Sequence, residues 1–304
     1  MNTRTRSMLS CVALGLIASS ALAEPAVHAG RAEVYTSLDS DSLERVTSAK
    51  ALEVELSAEN VAPTRIWKLL EHGEKVECLS CIPVVSKLLF DANDKTREIS
   101  AWWLRRRVFG VFGPGEVYSR VVESLSNSEQ SEVRRSYAAN AIGEFLNPAG
   151  VPLVAKAAVE DTSPRVRLAA VRALTRLNHE GPAQELGTAL ADSDEQVRLA
   201  ALNGALGVNV FSSTPAVVER LGDGSASVRR RAAEAVGVMH LADAAMALVP
   251  LCSAATEADP NVRAAALWAL GQIGDSAYRS VVEGAQGDAN PQVKSSARIA
   301  LRRL

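Results

Sequence analysis

Apolar residues recur at helical spacing through most of the chain, in blocks separated by short polar clusters. Counted from Val166, Val228 and Val262, small or apolar residues fall four, seven and eight positions on: Ala170, Ala173, Leu174; Ala232, Ala235, Val236; Ala266, Ala269, Leu270. That spacing lines one face of a helix. Upstream of such blocks lies a shorter apolar run, often opened by proline: "PVVSKLL" from Pro83, "PLVAKAAV" from Pro152, "PAQELGTAL" from Pro182, "PAVVERL" from Pro215. Proline suits a first helical turn, whose N–H groups have no intrahelical partner. The Asp/Ser/Asn clusters between runs supply turns and N-caps. Gly143, Gly207, Gly237, Gly271 and Gly274 are expected to end the second helices. Each block therefore predicts a helix hairpin.

The hairpins form a series. A basic residue marks each second helix: Arg97, Arg134, Arg167, Arg198, Arg229, Arg263 and Lys294, spaced by 37, 33, 31, 31, 34 and 31 residues. In all but the first it follows a valine, and Asp161, Asp192, Asp223, Asp259 and Asp288 lie just upstream in later copies. Self-similarity at this period is the mark of a repeat array. A lone hairpin leaves an apolar face in water, whereas stacked hairpins bury it in one continuous core. The expected fold class is all-α, an α-solenoid of stacked hairpins.

The pattern D-x-x-P-x-V-R-x-x-A-x-x-A-L-x-x-x-G resembles HEAT repeats, particularly the short bacterial type related to those of phycobilisome lyases. "DPNVRAAALWALGQIG" from Asp259 matches it best and "DTSPRVRLAAVRAL" from Asp161 follows; the resemblance covers about residues 83–304. In that family the repeated Asp and Arg brace adjacent repeats, and one helix layer lines a concave binding face. The resemblance thus makes Arg97, Arg134, Arg167, Arg198, Arg229 and Arg263 structural braces rather than ligand contacts. The first copy, "DANDKTREISAWWLRRR", departs by placing Thr96 where valine is expected and by carrying two tryptophans, as suits an end repeat. The last helix, "ARIALRRL", offers arginines but no further helix to cap the array, which makes self-association through that helix an expectation.

The N-terminus reads differently. Residues 1–23 combine Arg4 and Arg6, a short apolar run and Ala21-Leu22-Ala23, the layout of a cleavable export signal. The run is shorter than the roughly 20 residues needed to span a bilayer. Its removal takes the formal charge from −2 to −4, which gives no electrostatic footprint for nucleic acid. The mature chain is expected in the periplasm or outside the cell. Residues 24–60 read as a tether and partly ordered segment, and residues 61–304 as the solenoid, with 61–82 a capping segment.

Chemistry is sparse. Cys78-Leu79-Ser80-Cys81 lacks the following histidine that haem attachment requires, since Ile82 stands there. A disulfide bracing the cap suits an oxidising compartment. Idle thiols, a zinc site with His72 and a redox pair at a helix start are the alternatives. Cys252 lies in an apolar run and reads as a core residue. His28, His72, His179 and His240 are dispersed, and no nucleophile elbow, P-loop, zincin or dinucleotide motif occurs. No catalytic residue, metal or cofactor is expected.

What remains is a ladder of outward positions, two and six residues after the valine in each copy. They include Glu98, Trp102, Arg135, Leu168, Arg172, Leu199, Asn203, Arg230, Glu234 and Trp268. Tryptophan and arginine are enriched at binding hot spots. The sequence therefore leads to a non-catalytic, exported scaffold that binds a protein partner. The alternative is a lyase-like or cofactor-handling protein with chemistry near Cys78 and Cys81.

Overall fold

A computed structural model describes residues 61–76, 81–108, 115–177 and 183–304. The expected signal peptide, the 24–60 segment and Cys78 lie outside the described residues. Fifteen α-helices and no strand occur among the described residues. The first, α1 (Pro63–Val76), precedes seven hairpins: α2 (Ile82–Lys87) with α3 (Asp94–Val108), α4 (Glu116–Ser126) with α5 (Glu132–Phe145), and α6 (Val151–Glu160) with α7 (Pro164–Leu177). Then come α8 (Ala183–Ala189) with α9 (Glu195–Gly207), α10 (Thr214–Glu219) with α11 (Ala226–Val238), α12 (Ala245–Leu248) with α13 (Pro260–Ile273), and α14 (Arg279–Gly284) with α15 (Pro291–Leu301).

The described residues form an α-solenoid. Each second helix packs on the next, α3 on α5, α5 on α7 and so on to α15, while α4, α6, α8 and α10 pack likewise in the other row. Helix α1 takes the place of a second helix before α3, and Trp67 stacks on Trp102 with ring centroids 5.4 Å apart. The buried cluster runs without a break from Ile66 to Ala300, and all nine residues counted from Val166, Val228 and Val262 belong to it.

Local chemistry sets the boundaries. Asp194 accepts hydrogen bonds from the N–H groups of Gln196 and Val197, Asp259 from Asn261, and Asn290 from Gln292 and Val293. Proline occupies the first turn of α2, α6, α10, α13 and α15. Helices α2, α10, α12 and α14 are short, and each runs into a 3-10 turn before the loop to its partner.

The glycines divide into two kinds. Gly274 ends α13 with φ of 76°, a left-handed conformation that favours glycine. Gly143, Gly237 and Gly271 do not end their helices as the sequence pattern suggested. They lie inside them, where the next second helix comes too close for a side chain. A Cβ on Gly143 would stand 2.8 Å from Ala173 Cα, one on Gly237 2.9 Å from Ala269 Cα, and one on Gly271 2.7 Å from Ala300 Cα. Glycine on one helix and alanine on the next set the approach at these three joints, α5 with α7, α11 with α13 and α13 with α15.

This close approach generates a prediction. Gly271→Val should lose about 1–3 kcal/mol to overpacking, with hydrogen exchange accelerated first in α13 and α15. Gly284→Ala, at a position with nothing within 4 Å of the added carbon, should leave the urea midpoint unchanged or slightly raised.

Candidate functional site

The array presents two sets of polar residues, one that joins the repeats and one that lines an open groove. The joining set fixes the register of the other. Arg167, four residues after the residue that precedes its helix, donates through Nε and Nη2 to both oxygens of Asp192 at 2.6 and 2.8 Å. Its Nη1 donates to the carbonyls of Asp161 and Thr162 in its own loop. Arg198 does the same with Asp223, Arg229 with Glu257 and Arg263 with Asp288, at 2.7–3.1 Å. Each acceptor carboxylate also takes a backbone N–H two residues on, from Ser163, Asp194, Ser225, Asp259 or Asn290, which folds the loop into the next helix.

The acceptor carboxylates are largely shielded from water, and their titration is shifted. Burial pushes the carboxyls of Asp161, Asp192 and Asp223 up, but the arginine and backbone hydrogen bonds outweigh it and hold them below the usual carboxylate range. In Glu257 and Asp288 the arginine hydrogen bond is the leading cause of the same downward shift. Bidentate charge-assisted pairs of this kind are among the stronger polar contacts in proteins.

Three expectations about the ladder are corrected. In the second repeat Arg135 makes the bidentate pair, to Asp161 at 2.9 and 3.0 Å, while Arg134 lies 3.9 Å over the ring of Phe90. The Val133-Arg134 pair imitates the pattern one residue early. The true register is set by Ser131, whose side chain caps α5 and from which Arg135 stands four residues on. Arg135 is therefore buried in the joint between repeats. Arg97 reaches the carbonyls of Asp91 and Ala92 but pairs with no carboxylate among the described residues; its guanidinium lies 3.9 Å over Tyr137 instead. Glu257, rather than Asp259, receives Arg229, because Glu257 holds the position two residues before the cap that Asp192, Asp223 and Asp288 hold in their repeats, and Asp259 is itself the cap of α13.

The second set lines a groove of about 960 Å³ along α3, α5, α7, α9 and α11. Of the residues read from the sequence as a partner-binding ladder, Glu98, Arg172, Leu199, Asn203, Arg230 and Glu234 meet on it. Four others do not. Arg135 joins repeats, and Trp102 is half-buried against Trp67. Trp268 is half-buried over Gly237, and Leu168 packs against the core outside the groove lining. Both tryptophans cover neighbouring helices, because each large ring finds an apolar surface on the preceding element.

The groove also holds residues that the sequence reading missed. Tyr137, Asn140 and Glu144 come from α5, Arg176 from α7 and Arg231 from α11. Counting from Ser131 rather than Val133 would have found Asn140, which stands nine residues after the cap as Asn203 does after Asp194. Arg176 pairs with Glu144, Arg231 donates to Asn203 and Glu234, and Arg230 donates to Glu234.

Elsewhere, Cys81 is buried at the start of α2 and is not among the free thiols. Cys252 is a free thiol in the core, pushed up to about 12 by burial. His240 Nδ1 lies 3.0 Å from the Gln272 carbonyl in the last turn of α13. Among the described residues no cluster of His, Cys, Asp and Glu could hold a metal, and no helix is long and apolar enough to cross a membrane.

The family model described as HEAT repeats matches residues 118–207 and 214–302. No curated protein sequence matches the chain. Among solved structures, importin beta aligns over 91% of this chain and 48% of its own at 14% identity, with a TM-score of 0.60. The Escherichia coli protein YibA aligns over 92% of this chain and 98% of its own at 18% identity, with a TM-score of 0.56. The CpcE–CpcF complex of phycocyanin lyase from Nostoc aligns over 73% of this chain and 86% of that one at 22% identity, with a TM-score of 0.39.

The joint generates two predictions. Arg135→Ala should cost about 3 kcal/mol, because it strands a buried carboxylate, whereas Arg134→Ala should cost under about 1 kcal/mol, the worth of an exposed cation–π contact. Urea unfolding of each variant separates them. The depressed carboxyls contribute stability that is fully present above the ordinary carboxylate value of about 4. It is lost as pH falls through their lower folded values. The urea midpoint should therefore be level above about pH 5 and fall below it, with a shallower acid slope in Asp223→Asn.

Proposed function

Because this chain belongs to the HEAT-repeat family, we propose that it is a non-catalytic, exported scaffold whose second-helix groove holds a protein partner. The carrying observation is the groove itself, shared by five successive second helices. Four interhelical steps of about 8–10 Å give about 30–40 Å of length. A segment of about ten extended residues spans that distance. A small ligand would occupy only part of it. The lining supports the same reading: half-buried Leu199 and Tyr137 give apolar contact between exposed polar groups, the mixture that protein interfaces use.

Export rests on the sequence of residues 1–23, and the pairing of Cys78 with Cys81 belongs with it. Such a short loop gives little entropic stabilisation, so a bridge there would hold the start of α2 rather than the whole array. The lyase-like alternative would place chemistry at those same cysteines. Self-association through α15, where Ile299 is 49% exposed, is a separate proposal that light scattering checks against Ile299→Glu.

Two experiments test the main reading. A photo-crosslinking residue at position 203, in the groove, should capture a partner from the exported fraction. The same residue at position 246 should not, although Met246 is 69% exposed on the other row of helices. Equal adducts from both positions would sink the groove as the binding site. The mature protein, denatured without reductant, should show one reactive thiol from its three cysteines and three after reduction. Three thiols from the start would remove the disulfide, and a coloured group copurifying at the cysteines would favour the lyase-like alternative.

A further inference from the structure

The groove's charges are not balanced, and the imbalance indicates what it holds. Every groove acid has a use already. Glu144 pairs with Arg176, Glu98 with Lys95, and Glu234 is shared by Arg230 and Arg231, while Asp94 accepts the N–H of Lys95. The cations are in surplus. Arg230 and Arg231 share a single carboxylate, and Arg172 is exposed with no hydrogen bond or ion pair among the described residues. Arg172 stands on α7, the middle helix of the five, and the equivalent positions on its neighbours are Asn140 and Asn203, which are neutral.

We propose that the groove takes an extended acidic peptide segment, with Arg172 binding one carboxylate of it and the Arg230–Arg231 pair binding another. This rests on the scaffold reading above and gives its partner a chemistry. Two interhelical steps separate α7 from α11, about 16–20 Å, so the two carboxylates would lie about five or six extended residues apart. An arginine with a free planar fork binds a carboxylate through two parallel hydrogen bonds. Dense polyanions fit less well, because Glu98, Glu144 and Glu234 are interspersed along the same lining and would repel an unbroken run of negative charge.

The test uses the mature chain, residues 24–304, and a fluorescein-labelled 12-residue peptide carrying two glutamates six positions apart, beside its dilysine counterpart. Fluorescence anisotropy at low salt should show binding of the glutamate peptide alone, weakening as salt rises. Arg172→Ala should reduce affinity about tenfold, the worth of a charge-assisted hydrogen bond. Arg298→Ala, on α15 away from the groove, should leave affinity unchanged. The thermal midpoint of Arg172→Ala should match the parent, since the side chain supports nothing in the fold. No binding of the glutamate peptide, equal binding of the lysine peptide, or full affinity in Arg172→Ala would each overturn the proposal. So would tighter binding of heparin that ignores Arg172. Crosslinks from position 203 that persist while the acidic peptide fails would leave the groove as the site and discard only its acidic occupant. Loss of both would discard the two together.

Discussion

The whole array depends on one arginine used twice. Each second helix from α5 to α13 carries a guanidinium that closes its own loop through two carbonyls and joins the next repeat through both oxygens of a carboxylate. That carboxylate, in turn, ties its own loop through a backbone N–H. Neither group can move without loosening two hairpins. Because the pair is largely shielded from water, losing one partner leaves the other charged and without its main contact, which is the costly outcome for a buried ion pair. The apolar core supplies the driving force for stacking, and the ladder decides the register in which the hairpins stack.

With register fixed by the ladder, and spacing fixed at three joints by glycine against alanine, the outward positions of the second helices are free to vary. The groove is built from that freedom. Equivalent positions carry asparagine, arginine, asparagine and glutamate on four successive helices, a change of chemistry that the packing does not constrain. A surface of this kind gives specificity through its sequence of side chains and leaves the scaffold beneath it unchanged.

The repeat period, the hairpins and the buried face of α7, α11 and α13 were legible because packing imposes the same residues in each copy. Three features were hidden for physical reasons. Val133-Arg134 carries the local signature one residue out of step, and only the cap at Ser131 reveals that Arg135 faces the joint. Trp102 and Trp103 are adjacent, but which surface Trp102 covers depends on Trp67, 35 residues earlier in the chain. The acid for Arg229 is Glu257, which stands six residues before Arg263 as Asp192 does before Arg198, whereas Asp259 holds the cap position that Asp194 holds. Six groove residues were within reach of the pattern. The charge balance that distinguishes Arg172 from its neighbours was not, because it depends on which side chains meet across helices.

Every rung of the ladder points the same way along the chain, from an arginine to a carboxylate 25 to 28 residues later. A chain emerging from its N-terminal end therefore leaves its newest hairpin incomplete, with a loop partly closed and a charge waiting, until one more repeat has appeared. Completion then passes stepwise toward the C-terminus, each hairpin serving as the template on which its successor settles. Contacts this local in sequence favour rapid folding. The order in which the molecule is made is also the order in which its joints can close.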